Sequence, residues 1–250
     1  MVPPSFVARS TVTVSARGPK ASARRSARLP RSRAEARLRG PNHPMRRPGP
    51  VQFVRLMPVA DAPPRPPITQ DPIVFDARRI AQTREYAGRH YGFKRARLRD
   101  PKVIVIHYTA SSTYSSVFNT FNRNVADVEL GETPQVCSHY VIDPRGRIHQ
   151  LVSLKWICRH TVGLNYTAIG IEHVGTSAKQ VLGNARMMRA STRLVRWLQG
   201  RQGIVLSNVI GHNESLSSPY HAERVARLRR QTHSDFTRAQ MRVYRARLTR

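Results

Sequence analysis

Residues 103 to 108 read VIVIHY, four consecutive β-branched residues delivered straight into His107. A run with no polar alternation fits a strand covered on both faces, the condition of a parallel sheet interior, and not an amphipathic surface element. A chain built around such a strand needs partners on either side of it. The sequence from about residue 72 supplies them. SHYVIDPRGRIHQLV (138–152) reads as a hairpin, two strands about a Pro-Arg-Gly turn. YTAIGIEHVG (166–175) and SNVIGHN (207–213) read as two further strands.

Helical patterns alternate with these strands. DPIVFDARRIAQTREYAGRHYG (71–92) reads as a short strand or extended lead-in followed by a helix. SSTYSSVFNTFNRNVA (111–126) opens on hydroxyl caps and carries Val117, Phe118, Phe121 and Val125 at helical spacing. In 186–202, Met187, Ala190, Leu194, Val195 and Leu198 form one stripe, with Arg189, Arg193 and Arg196 opposite. YHAERVARLRR (220–230) and TRAQMRVYRARL (237–248) read as closing basic helices. The class expected is α/β: a single domain with a central mixed sheet flanked by helices, the hairpin requiring at least one antiparallel pair.

The first 70 residues have a different texture. Arg, Ser, Ala and Pro dominate, and Glu35 is the only acid before Asp61. This stretch reads as a disordered basic tail and Pro-rich linker, leaving 71–250 as the folded domain. With a net charge of +29, the whole chain favours polyanionic partners. No run approaches the ~18 apolar residues of a membrane span, and no export signal is read in the N-terminus, so the compartment stays open. Cys137 and Cys158 are too few for a disulfide framework; they read as two buried thiols, with a single bridge as the alternative.

Three of the strands end near ionisable residues: His107, Glu172 in IGIEHVG, and His212 in VIGHNE. Strand ends at one edge of an α/β sheet are where functional side chains collect. Two imidazoles and an acid from separate strands suggest a metal site, with QTHSDF (His233, Asp235) offering a further ligand. No HExxH or CxxC pattern reinforces this.

Taken together, VIVIHYTAS, SHYVIDPRGRIHQLV, RHTVGLNYTAIGIEHVG, VIGHNE and THSDF resemble, over 102–237, the zinc-dependent N-acetylmuramoyl-L-alanine amidases of the type 2 family. Peptidoglycan recognition proteins and a phage lysozyme-amidase share that fold. The resemblance implies Zn²⁺ held by His107, His212 and Asp235, with His221 or His233 as alternatives for the third ligand. It implies Glu172 as general base and His233 as the basic residue beside the oxyanion. Tyr108, Thr109, His139, His160 and Asn165 are implied substrate contacts, and Tyr140 lies in the strand where some members carry a catalytic tyrosine. Two features depart from the family pattern. Phe236-Thr237 follow Asp235 where Pro-Gly is usual, and SLSSPYHAERVARLRRQ lengthens the interval after His212. The implied function is hydrolysis of the amide between N-acetylmuramic acid and L-alanine in peptidoglycan or its fragments; a monomer is expected, with no specific nucleic acid, and the charge of the tail alone suggests anionic wall polymers as its partners. A peptidoglycan-binding module without catalysis is the alternative.

Overall fold

The computed structural model describes residues 63–249; residues 1–62 of the expected tail lie outside the described part. Among the described residues, six strands form one mixed sheet in the order β1-β4-β3-β5-β2-β6. They are β1 (Ile68–Gln70), β2 (Val103–Tyr108), β3 (Tyr140–Ile142), β4 (Ile148–Gln150), β5 (Ala168–His173) and β6 (Val209–Gly211). Strand β2 runs parallel to both β5 and β6. It therefore has sheet on both edges and packing on both faces, which is why Val103 to Ile106 are wholly buried and why the sequence there is apolar without alternation.

The faces divide by residue parity. Ile104, Ile106, Ile169 and Ile171 pack against Met187, Leu194 and Leu198 of α4 (Ala185–Gln202) and Met241 and Tyr244 of α5 (Arg238–Ala246). On the other face, Val103 and Val105 meet Leu164 and Ile210. Farther along, Val141 meets Val117 and Phe121 of α2 (Tyr114–Asn122). His107 shares this second face. Strand register then sets a single row across the sheet: Thr69, His149, Val141, Glu172, His107.

The helices end where local chemistry stops them. Asp76 caps α1 (Ala77–Tyr91) by accepting from the Arg79 N–H, and Gly92 closes it in the left-handed region at φ 82°. Thr113 caps α2 the same way. α2 ends at Asn122, so Val125, expected on its buried stripe, is instead exposed. α3 (Ala178–Gly183) is a short helix leading into α4. No helix among the described residues is long and apolar enough to cross a membrane.

Three expectations differ from what is found. The first strand is not in 72–76 but at Ile68–Gln70, inside the stretch read as linker, where it pairs in parallel with β4. Residues 220–230 form no α-helix, only a 3-10 turn at Ala226–Leu228. Their backbone bonds go elsewhere: the Ala222 N–H donates to Gly163 O at 2.9 Å and the Arg224 N–H to His90 O at 3.0 Å. Cys137 and Cys158 are joined in a disulfide with Cα atoms 5.7 Å apart, not left as thiols.

Candidate metal centre and active site

Three adjacent strands, β5, β2 and β6, bring Glu172, His107 and His212 together. Glu172 is the register partner of His107. His212 opens the 3-10 turn (His212–Ser217) that follows β6. The remaining acid comes from a loop. Asp235 precedes Phe236, a buried aromatic residue held in the left-handed region at φ 47°. A bulky residue occupies that region only when its surroundings fix it. Here the Phe236 ring is wedged against Tyr108, centroids 5.3 Å apart, and against His173 at 6.3 Å. Thr232 Oγ1 also donates to His212 O at 2.8 Å, tying the loop to the strand end.

The result is a set of converging ligand atoms. His107 Nδ1 lies 3.3 Å and His212 Nδ1 3.9 Å from Asp235 Oδ2. One ligand atom from each of the three residues falls within 4.8 Å of the others. Two imidazoles and a carboxylate are a donor set suited to Zn²⁺, and three protein ligands leave a coordination position open. Two buried polar atoms at this spot, His212 Nε2 and Glu172 Oε2, have no hydrogen-bond partner within the protein.

The protonation pattern suits a cation as well. His160 Nε2 faces Ala168 O at 3.4 Å; a carbonyl only accepts, so that nitrogen carries the hydrogen. His160 Nδ1 is then an acceptor, and the His107 Nε2–H donates to it at 3.2 Å, leaving the His107 Nδ1 lone pair facing Asp235. Gly170 makes this possible: a side chain there would come within 2.7 Å of the His160 ring, which lies directly on β5. Burial, then the neighbouring His107, hold the His160 and His212 rings well below the usual imidazole range, so both stay neutral.

Glu172 behaves in the opposite sense. Burial pushes its carboxyl up to about 7, partly offset by His107. A carboxyl poised there can take and return a proton near neutrality. His233 is raised, chiefly by its hydrogen bond to Glu129, with burial opposing. Its Nε2 lies 3.2 Å from Glu129 Oε2 and 3.0 Å from Gln231 Nε2, and its ring is 4.7 Å from that of His212.

A cleft opens beside this cluster, walled by Asp127, Glu129, Leu130, His160, His212 and His233. The loop carrying Glu129 is braced from beneath. Buried Arg159 pairs with Asp127 and donates to Glu132 O at 2.7 Å, while Asp127 accepts from the Leu130 and Glu132 N–H groups. Glu129, Gln231 and Thr161 were missed by sequence reading: each sits in irregular chain with no periodicity to mark it.

The implied substrate contacts separate. His160 lines the cleft. His139 and Asn165 are fully buried and brace the neighbouring backbone, and Asn165 also borders the cleft. The Gly170 N–H donates to His139 Nδ1 at 3.1 Å, so Nε2–H donates to Trp156 O at 3.1 Å, and neither nitrogen is left for substrate. Asn165 Oδ1 accepts from the His160 and Thr161 N–H groups. Tyr108 points to the opposite face from His107, onto Phe236. Thr109 Oγ1 accepts from Ser111 and Gly175 N–H, bracing the strand exit. His221, an alternative ligand, packs against Gly163 and is not part of the converging set.

The family described as N-acetylmuramoyl-L-alanine amidase matches residues 97–235, more than half of the chain, and the chain belongs to that family. N-acetylmuramoyl-L-alanine amidase A of Achromobacter lyticus is 33% identical over 101 residues, 40% of this chain and 52% of that protein, so the chain spans about half the length of that relative. Among solved structures, the endolysin amidase LysCS from Clostridium intestinale is similar at 17% identity and a TM-score of 0.44, covering 61% of this chain and 84% of its own. The E. coli amidase AmiD, solved with anhydro-N-acetylmuramic acid-L-Ala-D-gamma-Glu-L-Lys, is 25% identical with a TM-score of 0.37, covering 46% and 49%.

Proposed function

We propose that this chain is a zinc-dependent amidase that hydrolyses the bond between N-acetylmuramic acid and L-alanine in peptidoglycan or its fragments. The observation that carries the reading is the convergence of His107, His212 and Asp235 next to the unpartnered Glu172 carboxyl, in a chain of the amidase family. His107, His212 and Asp235 would hold the ion, which when bound supplies Lewis-acid activation of water and of the scissile carbonyl.

The remaining work falls to the chain's own side chains. Glu172 Oε2, buried and unpartnered, accepts the proton of the attacking water and delivers it to the departing alanine nitrogen. An amine leaves only as the protonated species, so the same carboxyl serves both halves. His233, kept protonated by Glu129, faces the cleft where negative charge develops on the carbonyl oxygen. A preorganised donor of that kind contributes ~3–4 kcal/mol. His160 and Thr161 keep His107 in the tautomer that leaves Nδ1 free.

We take the catalytic domain to run from about residue 68, where β1 joins the sheet, to the C-terminus, the basic stretch before it to hold anionic wall polymers, and the chain to act as a monomer. The test is incubation of the zinc-loaded protein with purified muropeptides, followed by mass spectrometry. Free peptide beginning with L-alanine and an intact lactyl-bearing sugar are expected. Intact muropeptide after prolonged incubation would sink the reading.

A further inference from the structure

The segment that lengthens the interval after His212 carries a feature that surface loops do not. The Glu223 side chain is entirely inaccessible to solvent, as is that of its partner His90. A carboxylate removed from water is strongly unfavourable unless bonded. Glu223 Oε2 lies 2.9 Å from His90 Nδ1, and Oε1 accepts from the Val225 N–H at 2.8 Å. The segment is stitched down around this pair: the Arg224 N–H donates to His90 O, the Ala222 N–H to Gly163 O, and Tyr166 Oη to Tyr220 O.

From His90 the contacts run without a break to the metal centre. The His90 ring stacks on Tyr86, centroids 3.8 Å apart. Tyr86 Oη accepts from Asn165 Nδ2 at 3.1 Å. Asn165 Oδ1 accepts from the His160 and Thr161 N–H groups at 2.8 and 2.7 Å. The His160 and Thr161 side chains lie 3.2 and 3.4 Å from His107 Nε2. Each link except the ring stack is a directional hydrogen bond in buried surroundings, where losing one partner strands the other.

We propose that Glu223, through His90, Tyr86 and Asn165, is a positioning residue that fixes the 160–165 loop against His107, so that the inserted segment sets how firmly the metal is held. This rests on His107 being a metal ligand. Groups that orient a ligating histidine typically change metal affinity ~10–100-fold when removed.

The test measures zinc affinity of the full chain by competition with a chromophoric chelator, and amide hydrogen exchange at His160 and Thr161. Glu223→Ala should weaken zinc binding ~10-fold and speed exchange at both amides. Glu223→Gln, which can still accept from His90, should restore both. Tyr86→Phe removes a single hydroxyl of the path and serves if Glu223→Ala does not fold; it should weaken binding severalfold. Arg227→Ala, which removes a surface pair with Glu132 from the same segment, should change neither. Zinc affinity and exchange equal to wild type in Glu223→Ala or, where that variant is unfolded, in Tyr86→Phe, would overturn the proposal, whatever happens to the melting temperature. Zinc-loaded wild type that released no peptide would sink the proposed reaction alone, because these two readouts need no substrate.

Discussion

The site has two halves held by different means. His107, Glu172 and His212 stand on or directly after adjacent strands, and their spacing is set by sheet register. Asp235, His233, Glu129 and His160 stand on loops, and their spacing is set by side-chain contacts: Phe236 against Tyr108, Arg159 against Asp127, Asn165 against the 160–161 backbone. The strand half takes its spacing from the fold itself. The loop half depends on individual residues that can be removed one at a time, so the two should fail differently.

The largest effect is expected from the strand half. His107→Ala or His212→Ala removes a ligand from a rigid frame that cannot replace it. Zinc should be lost on dialysis and kcat/KM should fall ~10³-fold or more; zinc retained at wild-type occupancy would break the assignment. Glu172→Gln keeps the shape and removes the proton acceptor. Here zinc should stay bound while kcat drops ~10²–10⁴-fold with KM little changed. A variant with near-normal kcat would move the general base elsewhere.

The loop half should give graded losses. His233→Ala should cost ~10²-fold in kcat, with zinc retained. A fall in zinc content instead would make His233 a ligand.

A brace between the halves can be read through pH. Burial pushes His139 down to about 4 in the folded chain, against an ordinary value near 6.5. The unfolded chain therefore takes up a proton first as pH falls, and stability present above 6.5 is lost progressively between 6.5 and 4. The full loss is about 3–4 kcal/mol, since each pH unit is worth ~1.4 kcal/mol. Urea unfolding at pH 7 and pH 5 should show that slope reduced in His139→Gln; an unchanged slope would assign the acid sensitivity to other groups. The smallest effect is expected from Glu129→Gln, which keeps an acceptor for His233 but drops the charge. Turnover should fall ~10-fold or less, and more steeply at high pH, where His233 would now lose its proton sooner.

The same division governs what could be read from sequence. The β2 run was legible because a strand covered on both faces has no polar positions to dilute its signal. α4 was legible because Met187, Leu194, Val195 and Leu198 face one core. β1 escaped notice because three residues at a sheet edge after two prolines carry almost no pattern. Residues 220–230 look helical locally, yet the Ala222 and Arg224 N–H groups bond to the 160–166 loop and to α1 instead. His139 and Asn165 came forward only through the resemblance, and no pattern in the sequence shows that their polar atoms bond to neighbouring backbone in the interior. Glu129 could not have been found, since what defines its role is His233, more than a hundred residues away.

The account turns on one ion held by His107, His212 and Asp235 driving muropeptide cleavage. The most direct measurement titrates zinc into chelator-stripped protein while following release of peptide with a free L-alanine terminus. Release should be absent without metal, rise in proportion to bound zinc and level off at one ion per chain. Cleavage at full rate by protein verified to be metal-free would contradict it.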